Sequence, residues 1–223
     1  RFSNNLKYSI IEKFPVPDVL GINSSKGLDW VRESGYPSHK TTRIEALRYF
    51  GLNGKFGSLK KQTKPTERKL LLVTGILPEE AHFQIYLLNQ ADKLGGLEKY
   101  DQVWIKAHPG LALDPILKDL KPNFKFTIVT SSIIELMEKA DAVYCANSTG
   151  ASLEAAWLGV PLIILAAMDS MNLNPLFGFP EQSFVKDYTE LLSALEKPQP
   201  IEMPEDYFFL DEDLKSWKEI LGF

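Results

Sequence analysis

Cysteine is almost absent from this chain of 223 residues, which contains only Cys145. A single cysteine excludes an internal disulfide and is typical of a reducing compartment. Three scattered histidines and this cysteine form no zinc-binding pattern. No apolar run reaches the roughly 18–20 residues of a membrane helix, because Gly159 and Pro161 divide the longest candidate. With no secretory signal in view, we expect a cytoplasmic protein.

Several well-known signatures are also missing. No GxGxxG follows the first predicted strand of the patterned region, and neither GxxxxGK(S/T) nor GxSxG occurs. These absences disfavour a dinucleotide fold of that type, a P-loop ATPase and a nucleophile-elbow hydrolase. The net charge of −4 and the lack of an aromatic and basic platform argue against nucleic acid as a partner. What remains is an ordinary globular composition, with 44% apolar and 24% charged residues.

From Lys69 onward, short apolar runs alternate with amphipathic helical segments. Runs such as LLLV and LIIL show no period-two polarity, which suits strands that are covered on both faces. The alternation predicts a doubly wound, parallel, six-stranded Rossmann-like sheet over residues 69–200. The predicted strands are KLLLVTG, DQVWIKA, FKFTIVT, DAVYCA, VPLIILA and EQSFV.

The remaining segments differ in pattern. Residues 1–50 contain one β-α-β piece, which we interpret as the tail of an N-terminal α/β domain because it cannot bury both faces of its own strands. Residues 51–68 are rich in glycine, lysine and arginine, which favours a solvated linker over a surface for phosphate or an acidic membrane. Residues 201–223 form a C-terminal extension with a predicted helix. Since the chain begins at Arg1, we expect a piece of a longer protein with its N-terminal domain missing, and peripheral membrane association stays an open alternative.

Three loops follow the ends of predicted strands, at Thr74–Gly75, His108–Gly110 and Asn147–Gly150. In an open parallel sheet, ligands bind beyond the carboxyl ends of the strands, near the switch in strand order. With the usual order, the strands ending near residues 74 and 146 are neighbours at that switch, and the strand ending near 107 lies beside the first. We therefore expect one crevice lined by all three loops.

The loop Asn147–Gly150 opens a predicted helix. Ser148 and Thr149 either cap this helix or donate their hydroxyls to a phosphate at its N-terminus, where Gly150 permits close approach. Glu154, in the second turn, is either a solvated or salt-bridged carboxylate or an acceptor for ribose hydroxyls.

The segment WIKAHPG carries the other candidates. His108, followed by Pro109, is either a turn histidine on the surface or a donor to a phosphate or base. Lys106 is a further candidate for phosphate, and Gly75 would let the backbone approach a ligand at the cleft.

These residues together resemble a known family. A strand ending in HP, a later strand followed by a serine-threonine pair, and then LEAAWLGVPLI resemble the C-terminal, donor-binding half of GT-B fold glycosyltransferases. The likeness is greatest to bacterial sialyl-, polysialyl- and Kdo-transferase-like proteins of surface carbohydrate biosynthesis. The resemblance implies that His108–Pro109 and Ser148–Thr149 hold the CMP part of a CMP-sugar. It also implies a carbohydrate or lipid-linked glycan as the acceptor, no metal, and no cofactor besides the nucleotide-sugar substrate.

In such enzymes an acceptor hydroxyl attacks the anomeric carbon, and the leaving phosphate gathers negative charge. The helix N-terminus, Ser148, Thr149 and His108 would stabilise that charge, and His108 could also protonate the phosphate as a catalytic acid. The family's general base comes from the N-terminal domain, and neither Asp18 nor Glu45 matches its motif, so the chain could bind donor without transferring sugar. A GT-B-fold sugar-nucleotide epimerase or hydrolase, or a non-catalytic nucleotide- or carbohydrate-binding module, are the alternatives.

Overall fold

The structure, a computed structural model, describes residues 17–59, 67–167, 172–176, 178–179 and 184–223. These residues form two compact units, one from 17–54 with 203–223 and the other from 55–202. Residues 1–16 of the predicted tail, 60–66 of the predicted linker and 181–183 of the last predicted strand lie outside the described residues.

The smaller unit contains the predicted β-α-β piece. Its strands pair in parallel, with Leu20 opposite Thr41. Ser24 caps the intervening helix by accepting a hydrogen bond of 3.1 Å from the Gly27 N–H. The elements are β1 (Leu20–Ile22), α1 (Ser25–Glu33), β2 (Thr41–Arg43), two short 3-10 helices (Ser38–Lys40 and Leu47–Leu52) and α7 (Lys215–Leu221).

The larger unit contains six strands and five helices among the residues that the structure describes. Its strands are β3 (Lys69–Val73), β4 (Gln102–Lys106), β5 (Thr127–Ile128), β6 (Ala142–Cys145), β7 (Leu162–Leu165) and β8 (Phe184–Val185). Its helices are α2 (Pro78–Asp92), α3 (Leu113–Leu120), α4 (Ile133–Met137), α5 (Ala151–Leu158) and α6 (Tyr188–Glu196).

The six strands form one parallel sheet in the order β5-β4-β3-β6-β7-β8. The chain runs outward from β3 to β5 on one side, then returns to β6 and runs outward to β8 on the other. Val73, at the end of β3, lies opposite both Lys106 and Cys145. The predicted fold class and the switch between β3 and β6 are therefore confirmed, and the carboxyl ends of β4, β3 and β6 lie side by side.

The apolar runs behave as the sequence predicts for strands covered on both faces. All four residues of β6 and all four of β7 are buried, as are Leu70–Val73 of β3. Helices α2 and α6 pack over one face of the sheet, where Leu70, Leu72 and Ile163 join residues of both helices in a common core.

Three local predictions differ from the structure. The segment DPILKDL predicts a short helix with Asp114 as a possible cap, but Ala112 occupies that position and Asp114 lies in the first turn. Trp217, Ile220, Leu221 and Phe223 lie at helical spacing, which predicts a C-terminal helix packed on one of the two domains. These residues do not form a buried face: Phe223, just beyond α7, is 91% exposed, and α7 itself has no buried residue. The first residues of the predicted linker are not simply solvated, because Gly57 and Leu59 donate backbone hydrogen bonds to Trp157 and Leu158 at the end of α5.

No helix among the described residues is both long and apolar enough to cross a bilayer.

Candidate functional site

The three predicted loops meet at the carboxyl ends of β4, β3 and β6. The backbone N–H of His108 donates a hydrogen bond of 3.0 Å to Oγ1 of Thr74, which joins the loops after β4 and β3 directly. Thr74 is 1% exposed, so its hydroxyl serves as a buried support for the His108 turn. The loop after β3 also touches the loop after β6, through Gly75 and Ser148.

Glu80, in the first turn of α2, holds Ser148 with both carboxylate oxygens. The Ser148 N–H donates to Oε1 at 3.0 Å, and its hydroxyl donates to Oε2. Gly75 lies directly against this pair, since a Cβ there would overlap Ser148 Oγ and come within 2.6 Å of Glu80 Oε2. The Ser148 hydroxyl predicted to donate to phosphate therefore donates to a carboxylate.

The imidazole of His108 has a defined orientation. Its Nδ1 accepts a hydrogen bond of 3.1 Å from the Gly110 N–H, so the neutral ring carries its proton on Nε2. The ring is half-buried, and the following Pro109 and Gly110 are exposed. Nε2 is thus the atom of His108 with a proton to donate to a ligand.

The first backbone group of helix α5, the Ala151 N–H, is bonded by a side chain that lies outside the N-cap position. Gly150 occupies the N-cap position, so neither Ser148 nor Thr149 is the N-cap residue itself. Oγ1 of Thr149 instead accepts from the Ala151 N–H at 3.3 Å, which leaves the hydroxyl proton to donate elsewhere. Within the part of the chain that the structure describes, no group accepts from the N–H of Thr149 or Gly150.

Two predicted ligand contacts make bonds within the protein. Lys106 Nζ donates to the carbonyl oxygens of Thr130 and Ser131, each at 2.8 Å, and so holds the loop after β5. Asn147 is 5% exposed. Its side-chain Nδ2 donates a hydrogen bond to the Leu165 carbonyl, and its Oδ1 accepts one from the Leu173 N–H. Their contacts with a ligand stay predictions, and the structure gives each of them a supporting role around the crevice.

Buried groups lie beneath the site. Glu154 is 9% exposed on α5, and its charge adds to burial in raising the pKa of the Cys145 thiol above its ordinary range. Burial also raises the pKa of the Tyr144 hydroxyl, and the charge of Glu80 adds to that effect. Cys145 is therefore held as a neutral core thiol, consistent with its place in a buried strand.

Sequence reasoning missed Glu80 and Gln84, both on α2. Nε2 of the fully buried Gln84 donates to the carbonyls of Val73 and Tyr144, at 3.3 and 3.1 Å, and so bridges β3 and β6 at the switch point. A glutamine among the apolar residues of one helix face is the signal that could have identified it. For Glu80 the sequence gives only an acid in a first helical turn, which the helix dipole alone accounts for.

Among the described residues there is no group of three or more histidine, cysteine, aspartate or glutamate side chains arranged to hold a metal ion.

Comparison with known proteins finds likeness at the level of the fold. No family model matches the chain, and no curated protein matches its sequence. The solved structures do match. The UDP-GlcNAc 2-epimerase of Methanocaldococcus jannaschii, in complex with UDP-GlcNAc and UDP, is 17% identical with a TM-score of 0.62, over 92% of this chain and 61% of that one. The UDP-GlcNAc 2-epimerase of Neisseria meningitidis, bound to UDP-GlcNAc, is 16% identical with a TM-score of 0.62, over 97% and 67% of the two chains.

A third similar structure is the wall teichoic acid polymerase TagF, at 13% identity and a TM-score of 0.51, over 91% of this chain and 51% of that one. The chain spans 61% of the Methanocaldococcus enzyme, which is less than two thirds of its length. At these identities the shared feature is the architecture. The six-stranded parallel sheet and its helices have the Rossmann-like fold of the GT-B type.

Proposed function

We propose that this chain is the donor-binding part of a glycosyltransferase that transfers a sugar from a CMP-linked donor to a surface-carbohydrate acceptor. The observation that carries the proposal is the junction of three loops at the switch point of the sheet. The His108 N–H bonds Thr74 there, and the Glu80–Ser148 pair packs on Gly75. A crevice at this position is where open α/β sheets bind nucleotides.

The chemical roles follow from the groups that have protons to donate. His108 Nε2 would donate to the donor phosphate and stabilise the charge that develops on it as the glycosidic bond breaks. The Thr149 hydroxyl, the N–H groups of Thr149 and Gly150, and the dipole of α5 would bind the same phosphate. Glu154 would accept hydrogen bonds from the ribose hydroxyls. The base that deprotonates the acceptor is not assigned to any residue of the larger unit.

Isothermal titration with CMP, UDP and GDP tests the proposal. We expect CMP to bind most tightly of the three. His108→Ala should weaken CMP binding by about 1–3 kcal/mol, the cost of losing a hydrogen bond to a charged group. His82→Ala is the matched control, because His82 pairs with Asp119 on the outer surface of α2 and α3. Equal affinity of His108→Ala and the parent chain would remove His108 from the site.

A second candidate is a sugar-nucleotide epimerase that uses a UDP-sugar. The fold favours it, because the two epimerase structures align with a higher TM-score than the polymerase does. Epimerisation needs no acceptor, whereas transfer does. This function would replace transfer if the chain bound UDP tightly but did not bind CMP, and if it produced an isomerised sugar in the absence of an acceptor.

A further inference from the structure

We propose that Glu80 sets the phosphate preference of the site, so that it accepts a nucleoside monophosphate and disfavours a nucleoside diphosphate. This inference rests on the proposed nucleotide site and names the class of donor that it takes. It assigns a specificity-determining role to a residue that the predicted site did not include.

Glu80 is held in place by Ser148 and Gly75. Both of its oxygens accept hydrogen bonds from Ser148, one from the backbone and one from the hydroxyl. The Cα of Gly75 closes the space beside it, with no room for a methyl group. Its charge is felt by the fully buried Tyr144 hydroxyl beneath the site. A carboxylate held in this way cannot rotate away from Ser148 without losing both hydrogen bonds to it.

The groups that are left to donate hydrogen bonds to a phosphate come directly after Ser148, the residue that this carboxylate holds. With the N–H and hydroxyl of Ser148 engaged, the loop offers the Thr149 hydroxyl and the N–H groups of Thr149 and Gly150. These donors follow Ser148 by one and two residues along the chain, and consecutive Cα atoms are about 3.8 Å apart. A phosphate bound to them would lie within roughly one Debye length of Glu80, about 8 Å at physiological salt, where charges still interact.

Among the described residues, the cation predicted for this crevice is engaged elsewhere. Lys106 is the cation that the sequence placed in this crevice, but its Nζ is directed at the carbonyls of Thr130 and Ser131. Glu79, in the same first turn of α2 as Glu80, adds another negative charge. One phosphate can be accommodated by the α5 N-terminus and His108, whereas the additional charge of a diphosphate meets a fixed carboxylate.

The test compares CMP with CDP, which share a base and a ribose and differ only in the number of phosphates. Affinities for both are measured by titration calorimetry on the full chain and on Glu80→Gln and Glu79→Gln. We expect the parent chain to bind CMP more tightly than CDP. Glu80→Gln, which keeps the shape and removes the charge, should raise the affinity for CDP relative to CMP by about three- to ten-fold. Glu79→Gln removes the same charge from an exposed position without touching Ser148, and should change the ratio much less.

The possible results distinguish a failure of the role proposed for Glu80 from a failure of the proposed nucleotide site. If neither nucleotide binds the parent chain, the proposed nucleotide site is wrong, and this inference falls with it. If CMP binds but Glu80→Gln leaves the ratio unchanged, or shifts it no more than Glu79→Gln does, the inference alone is overturned.

A second variant covers the case in which Glu80→Gln does not fold. Ser148→Ala removes one bond to Glu80 but keeps its charge, and leaves the Thr149 hydroxyl intact. It should therefore retain the preference for CMP over CDP. Loss of that preference in Ser148→Ala would show that the serine hydroxyl, and not the charge of Glu80, sets the phosphate number.

Discussion

At the scale of single residues, the site depends on having a glycine, which has no side chain, at position 75. Gly75 follows β3 at the point where the chain leaves the sheet, and the Glu80–Ser148 pair lies against its Cα. The carboxylate on α2 and the serine after β6 can meet only because nothing projects between them. Gly75 thus couples the loop after β3 to the loop that opens α5.

Gly75→Ala should disrupt this contact. The added Cβ would overlap Ser148 Oγ and lie 2.6 Å from Glu80 Oε2, so the loops must move apart. We expect a loss of about 1–3 kcal/mol in the free energy of unfolding, as is typical of overpacking, measured by urea denaturation. Gly110→Ala is the control, because a Cβ there meets its nearest neighbours, His108 Nδ1 and Ile76 Cδ1, at 3.4 Å. If both variants lose the same stability, the close approach at Gly75 is not what holds the loops together.

At the scale of elements, the strands and their order follow from the sequence. Uninterrupted apolar runs such as LLLV and LIIL are decisive, because such strands must be covered on both faces, and helices between parallel strands provide that cover. The loops at the switch point follow from the strand order, which is why the sequence alone predicts His108 and Ser148 near one crevice.

The details that the sequence could not predict are contacts between side chains on different elements. Lys106 ends a strand and has the chemistry to bind phosphate, yet its ammonium group finds two backbone carbonyls after β5. Ser148 has the chemistry of a cap, yet Glu80 takes both of its donors from a helix 68 residues away. Spacing along the chain does not show which of several chemically suitable partners a side chain reaches in the fold.

Helix α7 shows the same principle in the smaller unit, where Glu45 acts as a distant N-terminal cap. Its carboxylate accepts from the N–H groups of Ser216 and Trp217, at 2.9 and 3.2 Å, and is only 3% exposed. Burial alone would raise the pKa of Glu45, but the hydrogen bonds from Ser216 and Trp217 outweigh it, and the pKa is lowered from its ordinary value of 4.5.

Glu45→Gln should therefore loosen α7 in a pH-dependent way. A lowered pKa means that the carboxylate stabilises the folded chain above pH 4.5, and that this stability is lost as the pH falls through the lower folded-state value. At pH 7 we expect the variant to exchange its α7 amide hydrogens faster, by an amount that corresponds to about 1–2 kcal/mol. Glu219→Gln, on the exposed surface of the same helix, is the control. A difference between parent and Glu45→Gln that persists undiminished well below pH 4 would contradict this assignment.

At the scale of the whole molecule, the candidate site belongs to one unit. Every residue proposed to bind the donor lies within 55–202, as do Glu80, Gly75 and the core cluster beneath the sheet. The start of the predicted linker belongs to this unit too, since Phe56 packs edge-on against Trp157 at a centroid distance of 4.9 Å. The candidate site and the core beneath it thus lie in one continuous stretch of chain, which a truncation can isolate from the rest.

A fragment of residues 55–202 should fold and bind CMP without the rest of the chain. Its apolar core is formed within the fragment, so we expect cooperative thermal unfolding and a far-UV circular dichroism spectrum of an α/β protein. Because the loops after β3, β4 and β6 are all present, CMP should bind within about three-fold of the full-chain affinity, a difference of less than 1 kcal/mol. The same fragment with Leu72→Ala, which empties part of the core, is the control for cooperative folding. A fragment that folds but no longer binds CMP would show that 17–54 or 203–223 contributes groups to the site, and the assignment of the donor to the larger unit alone would then be wrong.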